Sequence, residues 1–399
     1  MKRLFWIGDA VAKTGYATVT HQILHYLKDR YDVTVMGLNY NGDPYDYSYP
    51  IFPAGAGGDY LGLKRLRELI PRRIRPDVTV ICTDPWLICK YLRTFDWPCP
   101  VVGYSLLDGP NVNPDELEGL NGLASLGMAT EFAAKEIAAA GFEKPTWVAG
   151  YAYNADHYVP CDTTTAREMT GVLDAVGEDA FIVSNVNRNM PRKRLDLTIE
   201  YFSKWVHEYA IPKNVYLYLH CTDEDHGWDL TQLANYYELG GRVLRFSVRH
   251  PDGTHTRIAM GDAVADEQMR FIYSLANLQV STSLGEGWGL PHMEAMACGV
   301  PQLAGKWAAL AEWGADAMEL VHCDNTYVHC GGINTVGCGP NREAFIKALD
   351  HLYRTPFELQ QLARKGLARV REGRFSWERS AQTIDEHLQI ALNAEAKAA

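Results

Sequence analysis

The chain has 399 residues, of which 47% are hydrophobic and 22% are charged, a composition typical of a globular protein with roughly two domains. Its formal net charge of −11 argues against general nucleic-acid binding, although a local basic patch would be compatible with it. No apolar stretch is long enough for a membrane-spanning helix, Met1–Ile7 is too short for a signal peptide, and the nine cysteines are scattered. These features predict a cytoplasmic protein without a disulfide framework.

Short apolar runs alternate with helical patterns along most of the chain. In the first half, runs that predict strands occur at Leu4–Ile7, Val33–Gly37, Val78–Cys82 and Pro100–Tyr104. In the second half, they occur at Phe181–Asn185, Val215–Leu219, Val243–Phe246, Leu278–Ser281 and Gln302–Ala304. Such runs are typical of parallel strands buried on both faces. The alternation therefore predicts two doubly wound α/β domains with a cleft between them, divided near Tyr151–Asp162.

A polar loop in the first half, residues 39–49, concentrates four tyrosines. Tyrosine rings suit the faces of sugars or bases. A surface loop that packs its own aromatic rings is the more common arrangement, and both interpretations stay open.

A basic amphipathic segment, residues 61–75, interleaves leucines with Lys64, Arg65, Arg67, Arg72, Arg73 and Arg75. The pattern is compatible with a contact to an anionic membrane or a polyanionic acceptor. We favour a helix that covers the sheet before the strand at Val78, because the leucines are needed to pack on that sheet.

Residues 181–202 predict a strand, a polar loop and an amphipathic helix. The helix places Leu195, Ile199 and Phe202 on one face. The loop before it carries four cations, Arg188, Arg192, Lys193 and Arg194. Solvated surface charges are the alternative explanation for each of them.

Residues 281–301, with the sequence STSLGEGWGLPHMEAMACGVP, say more about function than any other part of the chain. They predict the end of a buried strand, a glycine-rich loop with Glu286, and a helix that begins near Pro291 and carries Glu294. A loop that enters a helix offers backbone N–H groups and a positive dipole end to a phosphate. The two carboxylates lie eight residues apart, about two helical turns, so they would contact different parts of a ligand. This pattern predicts a nucleotide-binding site.

The spacing of Gly285, Glu286, Gly287, Trp288, Gly289 and Leu290 with Glu294-Ala-Met-Ala-Cys-Gly-Val-Pro301 resembles the E-x7-E signature of glycosyltransferase family 4. The resemblance covers most of residues 166–391 and reaches the first 150 residues only loosely. It implies the GT-B architecture, in which two Rossmann-like domains face a central cleft and a C-terminal helix crosses back to the first domain. The alternative is a buried βα unit of another doubly wound fold, which would leave both glutamates unexplained.

The resemblance also implies roles for individual residues. Family members hold the donor diphosphate with an arginine and, five residues later, a lysine, and Arg188 and Lys193 occupy those positions. Arg192 and Arg194 are alternatives in the same loop. A departing diphosphate needs such cations because its negative charge grows as the glycosidic bond breaks.

Two residues of the first half have matching places in the family. Gly15, in Thr14-Gly15-Tyr16, stands where relatives have a glycine turn near the donor phosphates, although a simple βα turn explains it equally well. Asp108 follows the fourth predicted strand, where relatives place a His or Asp that faces the reacting sugar. Asp108 would hold a sugar hydroxyl or accept the acceptor's proton, while Asp-Gly-Pro is also an ordinary turn.

The activity implied is the transfer of a hexosyl or pentosyl group from a nucleoside diphosphate sugar to an acceptor hydroxyl, with retention of configuration. Glu294 would bind the ribose, the amides of Gly287 to Leu290 would bind the diphosphate, and Glu286 would orient the transferred sugar. The acceptor stays open among glycan, lipid, small molecule, protein and modified DNA base. A sugar phosphorylase, a nucleotide-sugar epimerase and a catalytically silent sugar-nucleotide-binding scaffold are the alternatives.

The expected domains are an acceptor-side domain at residues 1–158, a nucleotide-sugar-binding domain at 159–377 and a returning helix at 378–399. No cofactor and no metal are expected. His322, Cys323, His329, Cys330 and Cys338 match no standard zinc spacing. Asp223-Glu-Asp225 resembles a metal-binding Asp-x-Asp, but we interpret it as a solvated turn.

Overall fold

The computed structural model describes residues 1–56, 58–222, 225–245, 247–249, 255–257, 264–329 and 334–398. The chain forms two compact units. The first consists of Met1–Tyr151, His329–Thr335 and Arg374–Ala399, and the second of Ala152–Val328 and Val336–Gly373. The main divisions thus fall after Tyr151 and after Gly373. The boundaries predicted from the sequence follow residues 158 and 377.

The first unit contains a seven-stranded parallel sheet in the order β3-β2-β1-β4-β5-β6-β7. Its strands are β1 Lys2–Asp9, β2 Tyr31–Leu38, β3 Ile51–Pro53, β4 Val78–Cys82, β5 Val101–Ser105, β6 Ser125–Met128 and β7 Thr146–Val148. The strand order reverses between β1 and β4. Ligands of doubly wound sheets bind beyond the carboxyl ends of the strands at such a reversal.

The helices of the first unit are α1 Gly15–Leu27, α2 Leu63–Leu69, α3 Pro85–Thr94, α4 Pro114–Leu117, α5 Glu131–Ala139 and, far along the chain, a C-terminal helix at Trp377–Ala398. Helix α1 begins where the Thr14 side chain accepts a hydrogen bond from the Ala17 N–H at 3.2 Å, an N-cap that satisfies one free donor. Its predicted apolar face is confirmed, since Val19, Ile23 and Leu27 are buried.

The C-terminal helix belongs to the first unit through a buried acidic residue, Asp385, which is 3% exposed. Tyr31 donates its phenolic O–H to Asp385 Oδ1 at 2.6 Å, and Arg30 forms an ion pair with Oδ2 at 2.6 Å. A buried carboxylate is tolerated only with such partners. The helix is therefore part of the first unit's core.

The second unit contains a six-stranded parallel sheet in the order β10-β9-β8-β13-β14-β15. Its strands are β8 Phe181–Val186, β9 Val215–His220, β10 Val243–Arg245, β13 Leu278–Val280, β14 Gln302–Gly305 and β15 Glu319–Val321. Two antiparallel hairpins add β11 Ser247–Arg249 with β12 His255–Arg257, and β16 Cys323–Val328 with β17 Val336–Pro340. In the main sheet, the order reverses between β8 and β13.

The helices of the second unit are α6 Thr163–Met169, α7 Leu173–Val176, α8 Leu195–Glu208, α9 Leu230–Tyr236, α10 Asp266–Ser274, α11 Leu290–Ala297, α12 Ala308–Trp313, α13 Arg342–Arg354 and α14 Pro356–Val370; the C-terminal helix is α15. Helix α8 buries Leu195, Ile199 and Phe202, the face predicted from the sequence, in the core with β8 and β9. Each fully buried side chain of this kind contributes about 1.5–3 kcal/mol to folding.

The α/β fold class with two parallel sheets is confirmed. Every strand predicted from an apolar run is present within one or two residues; Phe246, the end of one prediction, lies outside the described residues. Among the described helices, none has both the length and the apolar composition needed to cross a bilayer.

Candidate functional site

The candidate site of the second unit lies where two loops leave neighbouring strands at the reversal of strand order. The loop after β8, residues 187–194, and the loop after β13, residues 281–289, are joined by hydrogen bonds to backbone carbonyls of the first loop. The Leu284 N–H donates to the Arg192 carbonyl at 2.9 Å, and the Thr282 hydroxyl donates to the Arg194 carbonyl at 2.6 Å. The two sequence motifs therefore form one site.

Gly289 allows the loop after β13 to enter helix α11 directly. Its φ of +91° lies in the left-handed region, which glycine adopts without a steric penalty. A Cβ there would lie 3.0 Å from Leu310 Cδ2 and 3.3 Å from His292 Cδ2. The helix begins at Leu290 with Pro291 in its first turn, as predicted. First-turn N–H groups lack partners within a helix, so this end is suited to an anion.

Glu286 is the buried charge at the centre of the site, with 5% exposure. Lys193 Nζ donates to both carboxylate oxygens, at 2.6 and 2.7 Å, and Arg192 Nη1 lies 3.7 Å from Oε2. Burial alone would raise the pKa of the Glu286 carboxyl, but the positive charges of Lys193 and Arg192 outweigh it and lower the pKa to about 2. Glu286 is therefore ionised at neutral pH.

Arg192 also links the two loops, because its guanidinium donates to the Gly285 carbonyl. Arg194 has a φ of +47° just before helix α8 and binds Asp196, two residues further on. Of the two alternatives left open in this loop, Arg192 is thus the one next to Glu286.

Arg188 lies apart from that cluster. Its Nε and Nη2 donate to the two carboxylate oxygens of Asp225, each at 3.0 Å. The Arg188 side chain is 55% exposed, whereas that of Asp225 is 1% exposed. Our interpretation of Asp223 to Asp225 as a solvated turn is wrong for Asp225, because a bidentate guanidinium covers its carboxylate. Residues 223 and 224 lie outside the described part of the chain.

Glu294 lies within helix α11 and is held by a buried tyrosine. Tyr273 donates its phenolic O–H to Glu294 Oε2 at 2.6 Å. Burial, reinforced by the neighbouring Glu294 carboxylate, raises the pKa of Tyr273, so the phenol stays a donor. The sequence did not single out Tyr273, whose position in helix α10 gave no functional signal.

Trp288 has its indole in the core of the second unit, where the residue is 4% exposed. The ring stacks on Trp313 with centroids 5.6 Å apart, and the Trp313 indole N–H donates to the Trp288 carbonyl at 2.8 Å. The predicted role of Trp288 in diphosphate binding therefore depends on its backbone N–H. The same holds for the predicted roles of Gly287, Gly289 and Leu290.

A buried polar network that the sequence analysis missed lies beneath the loop. Gln302 donates its amide to the Val300 carbonyl at 2.9 Å, which fixes its Oε1 as an acceptor for His292 Nδ1 at 2.8 Å and Gln279 Nε2 at 3.0 Å. His292 Nδ1 therefore carries the hydrogen. Burial lowers the pKa of His292 despite the nearby Glu286 charge, so the ring is neutral with a bare Nε2. That nitrogen has no hydrogen-bond partner among the residues that the structure describes.

Gly15 and Asp108 lie in the first unit. Gly15 is the exposed first residue of helix α1, after β1, and so lies at the reversal of strand order in its own sheet. Asp108 follows β5 and is half-buried. Their predicted roles stay predictions.

The basic segment packs as the covering helix that we favoured. Leu66, Leu69, Ile70 and Ile74 belong to the core of the first unit. Arg72, Arg73 and Arg75 stay exposed. The contact with a membrane or polyanion therefore remains a prediction for the exposed face alone.

A family model described as glycosyl transferase-like matches residues 230–386, which include Glu286, Glu294 and helix α11. D-inositol 3-phosphate glycosyltransferase of Segniliparus rotundus is 30% identical over 146 residues, which make up 37% of this chain and 29% of that protein. The match thus spans less than a third of that relative's length.

Solved structures resemble nearly the whole chain. Sucrose-phosphate synthase from Thermosynechococcus elongatus is 17% identical with a TM-score of 0.74, over 99% of this chain and 100% of that one. Anabaena HepE in complex with UDP-glucose is also 17% identical, with a TM-score of 0.69 over 98% and 100%. The solved structures confirm the GT-B fold. The family model and the relative show that part of this chain is similar to glycosyltransferases.

Proposed function

We propose that the protein transfers a sugar from a nucleoside diphosphate sugar to an acceptor hydroxyl, with retention of configuration and without a metal ion. The observation that carries the proposal is the cluster of Glu286, Lys193 and Arg192 at the start of helix α11. Anabaena HepE, which has the same fold, was solved with UDP-glucose, which supports a nucleotide sugar as the donor. A cytoplasmic location is part of the proposal, since the described cysteines are free thiols.

The donor diphosphate would bind beside the positive end of helix α11. Lys193 and Arg192 supply positive charge there, and the backbone N–H groups of residues 287–290 supply donors. As the bond between the anomeric carbon and the diphosphate oxygen breaks, the bonding pair leaves with the diphosphate, and these groups stabilise the added charge. Arg188 would extend the same cationic set, after exchanging Asp225 for phosphate.

Glu286 would orient the transferred sugar and stabilise positive charge at its anomeric carbon. Its low pKa keeps the carboxylate ionised throughout the neutral range. The acceptor oxygen then forms its bond on the face from which the diphosphate departs. Glu294, held by Tyr273, would accept hydrogen bonds from the ribose hydroxyls. Asp108 would take the acceptor's proton, and Gly15 would approach the donor phosphates.

The first test is a thermal-shift and hydrolysis screen of UDP-, GDP-, ADP- and dTDP-sugars, with and without EDTA. We expect one donor to raise the melting temperature and to be hydrolysed slowly in the presence of EDTA. Hydrolysis abolished by EDTA would contradict the metal-free mechanism. No response to any donor would favour a silent scaffold.

A second test separates the role of Glu286 from donor binding. Glu286→Gln keeps the shape of the side chain but removes its charge, so turnover should fall on the order of 100-fold while donor affinity changes little. Equal losses of turnover and affinity would contradict the role assigned to Glu286.

A further inference from the structure

The tyrosine loop of the first unit holds three rings in a nearly parallel arrangement. Tyr45 and Tyr47 have centroids 6.4 Å apart with planes 22° apart, and Tyr47 and Tyr49 have centroids 6.1 Å apart with planes 10° apart. We call Tyr45, Tyr47 and Tyr49 the tyrosine row. Tyr45 is 38% and Tyr47 44% exposed, whereas Tyr49 is buried. Two large aromatic side chains are thus displayed to solvent side by side.

His21 fixes the row from one side. Its ring stacks on Tyr47 with centroids 3.6 Å apart and planes 10° apart. His21 Nε2 donates to the Ala10 carbonyl at 2.5 Å, so in the neutral ring Nδ1 accepts from the Tyr49 hydroxyl at 2.6 Å. Burial lowers the pKa of His21, which keeps the ring neutral. The row therefore needs little ordering when a ligand arrives, which favours affinity.

The row is placed where ligands of such sheets bind. It follows β2, and Asn39 donates to Asp9 Oδ1 at the end of β1 at 3.0 Å. Thr14, the N-cap of helix α1, donates to Asp9 Oδ2 at 2.6 Å. The carboxyl end of β1 lies at the reversal of strand order, and His21, which stacks on Tyr47, is hydrogen-bonded to the Ala10 carbonyl just after that strand. The row therefore lies next to the ligand-binding edge of the first sheet.

The chemistry of the loop distinguishes a sugar from a nucleic-acid ligand. Residues 39–49 contain no lysine or arginine and carry two aspartates, Asp43 and Asp46. Nucleic-acid binding depends on protein cations that neutralise the phosphates. This loop has only negative charges and would repel the phosphates. Neutral tyrosine rings with polar hydroxyls suit the C–H faces and hydroxyl groups of a sugar chain.

We propose that the tyrosine row binds a neutral glycan of two or more sugar units, the acceptor in the proposed transfer. This inference rests on the proposed function, because it assigns the acceptor class to the same reaction. Tyr45 and Tyr47 each stack on one sugar ring, and His21 holds Tyr47 in place.

The test measures binding of neutral α- and β-linked glucose oligosaccharides, from one to six units, by saturation-transfer NMR and calorimetry. We expect affinity to rise from the monosaccharide to the trisaccharide in at least one series. Tyr47→Ala should weaken that binding about tenfold, as expected for an aromatic residue at the centre of an interface. Tyr47→Phe, which keeps the ring, should bind nearly as well as the wild type.

Tyr26→Ala is the matched control, because Tyr26 is 40% exposed in the same unit but lies in helix α1, outside the row. It should bind like the wild type. Equal binding by wild type and Tyr47→Ala, no binding in either series, or tighter binding of single-stranded oligo-dT would overturn the inference.

The donor screen distinguishes the two levels of failure. If a donor stabilises the protein and is hydrolysed but the glycan results are negative, only the glycan assignment fails. If no donor acts on the wild type, the proposed function itself fails.

Discussion

The two candidate ligand regions of this protein rely on opposite physical chemistry. Around Glu286, a buried carboxylate is paired with two partly buried cations, Lys193 and Arg192. In the tyrosine row, uncharged rings are partly exposed and held by stacking and neutral hydrogen bonds. The first arrangement suits a charged diphosphate, and the second suits a neutral glycan. The comparison teaches that substitutions at Glu286 should disturb folding as well as turnover, whereas those at the exposed Tyr45 and Tyr47 should disturb binding alone.

The largest expected effect on stability comes from Lys193→Met. It would leave the Glu286 carboxylate buried with only Arg192 nearby, at a cost of about 3–5 kcal/mol in the free energy of unfolding. Chemical denaturation measures the loss. In the double variant Lys193→Met/Glu286→Gln, no buried carboxylate remains, and the partly exposed Arg192 keeps its hydrogen bond to the Gly285 carbonyl. Most of that loss should therefore be recovered. If Lys193→Met is as stable as Tyr47→Ala, the two regions do not differ in their contribution to folding, and the comparison is wrong.

The pH dependence of stability is the next largest expected effect. The pKa of Glu286 is lowered from 4.5 to about 2, so its contribution is complete above pH 4.5 and is lost as the pH falls towards 2. The loss should amount to about 3 kcal/mol, because each pKa unit corresponds to about 1.4 kcal/mol. Unfolding curves between pH 2 and 5 should show this slope for the wild type and a shallower one for Glu286→Gln. Identical slopes would mean that Glu286 does not cause this pH dependence of the free energy of unfolding.

A smaller effect is expected from the neutral network beneath the charged loop. Gln302→Leu removes the acceptor of His292 Nδ1, which should cost about 1–3 kcal/mol because a buried donor loses its partner. His292→Leu/Gln302→Leu removes both partners of that bond, while Gln279 Nε2 keeps its hydrogen bond to the Pro291 carbonyl at 3.1 Å. The double variant should therefore be closer to the wild type. A larger loss in the double variant would show that the network contributes more than hydrogen bonding.

The smallest effect on stability is expected at Arg188, whose side chain is 55% exposed. Arg188→Ala should change the free energy of unfolding by at most about 1 kcal/mol, since removing the half-exposed guanidinium lets water reach the Asp225 carboxylate that it covers. Donor affinity should fall about tenfold if Arg188 moves to the diphosphate, as measured by calorimetry with the donor found in the screen. Unchanged affinity would leave Arg188 as a partner of Asp225 alone.

Sequence reasoning identified the strands that are continuous apolar runs, because burial on both faces leaves that signature. It missed Ser125–Met128, which contains no β-branched residue, and Thr146–Val148, which is only three residues long. It also missed the hairpin of Cys323–Val328, where the strand is largely exposed. Such strands form through pairing with neighbours distant in sequence, which a local pattern does not reveal.

In the site, the resemblance to the family predicted that Glu286, Lys193 and the glycine loop bind the same donor, but it did not assign partners. The ion pair of Lys193 with Glu286 joins residues 93 positions apart, and that of Arg188 with Asp225 joins residues 37 apart. His292, Gln279 and Gln302 gave a weak signal, as polar residues that interrupt apolar runs. Their network became visible only once their burial was known.

The C-terminal helix has a consequence for how the protein is made. Tyr31 and Asp385 are 354 positions apart, yet their hydrogen bond belongs to the core of one compact unit. The ribosome therefore synthesises the whole second unit before the core of the first unit can be completed. We expect the core of the first unit to stay incomplete until helix α15, which ends at Ala398, has been synthesised and can pack on the sheet.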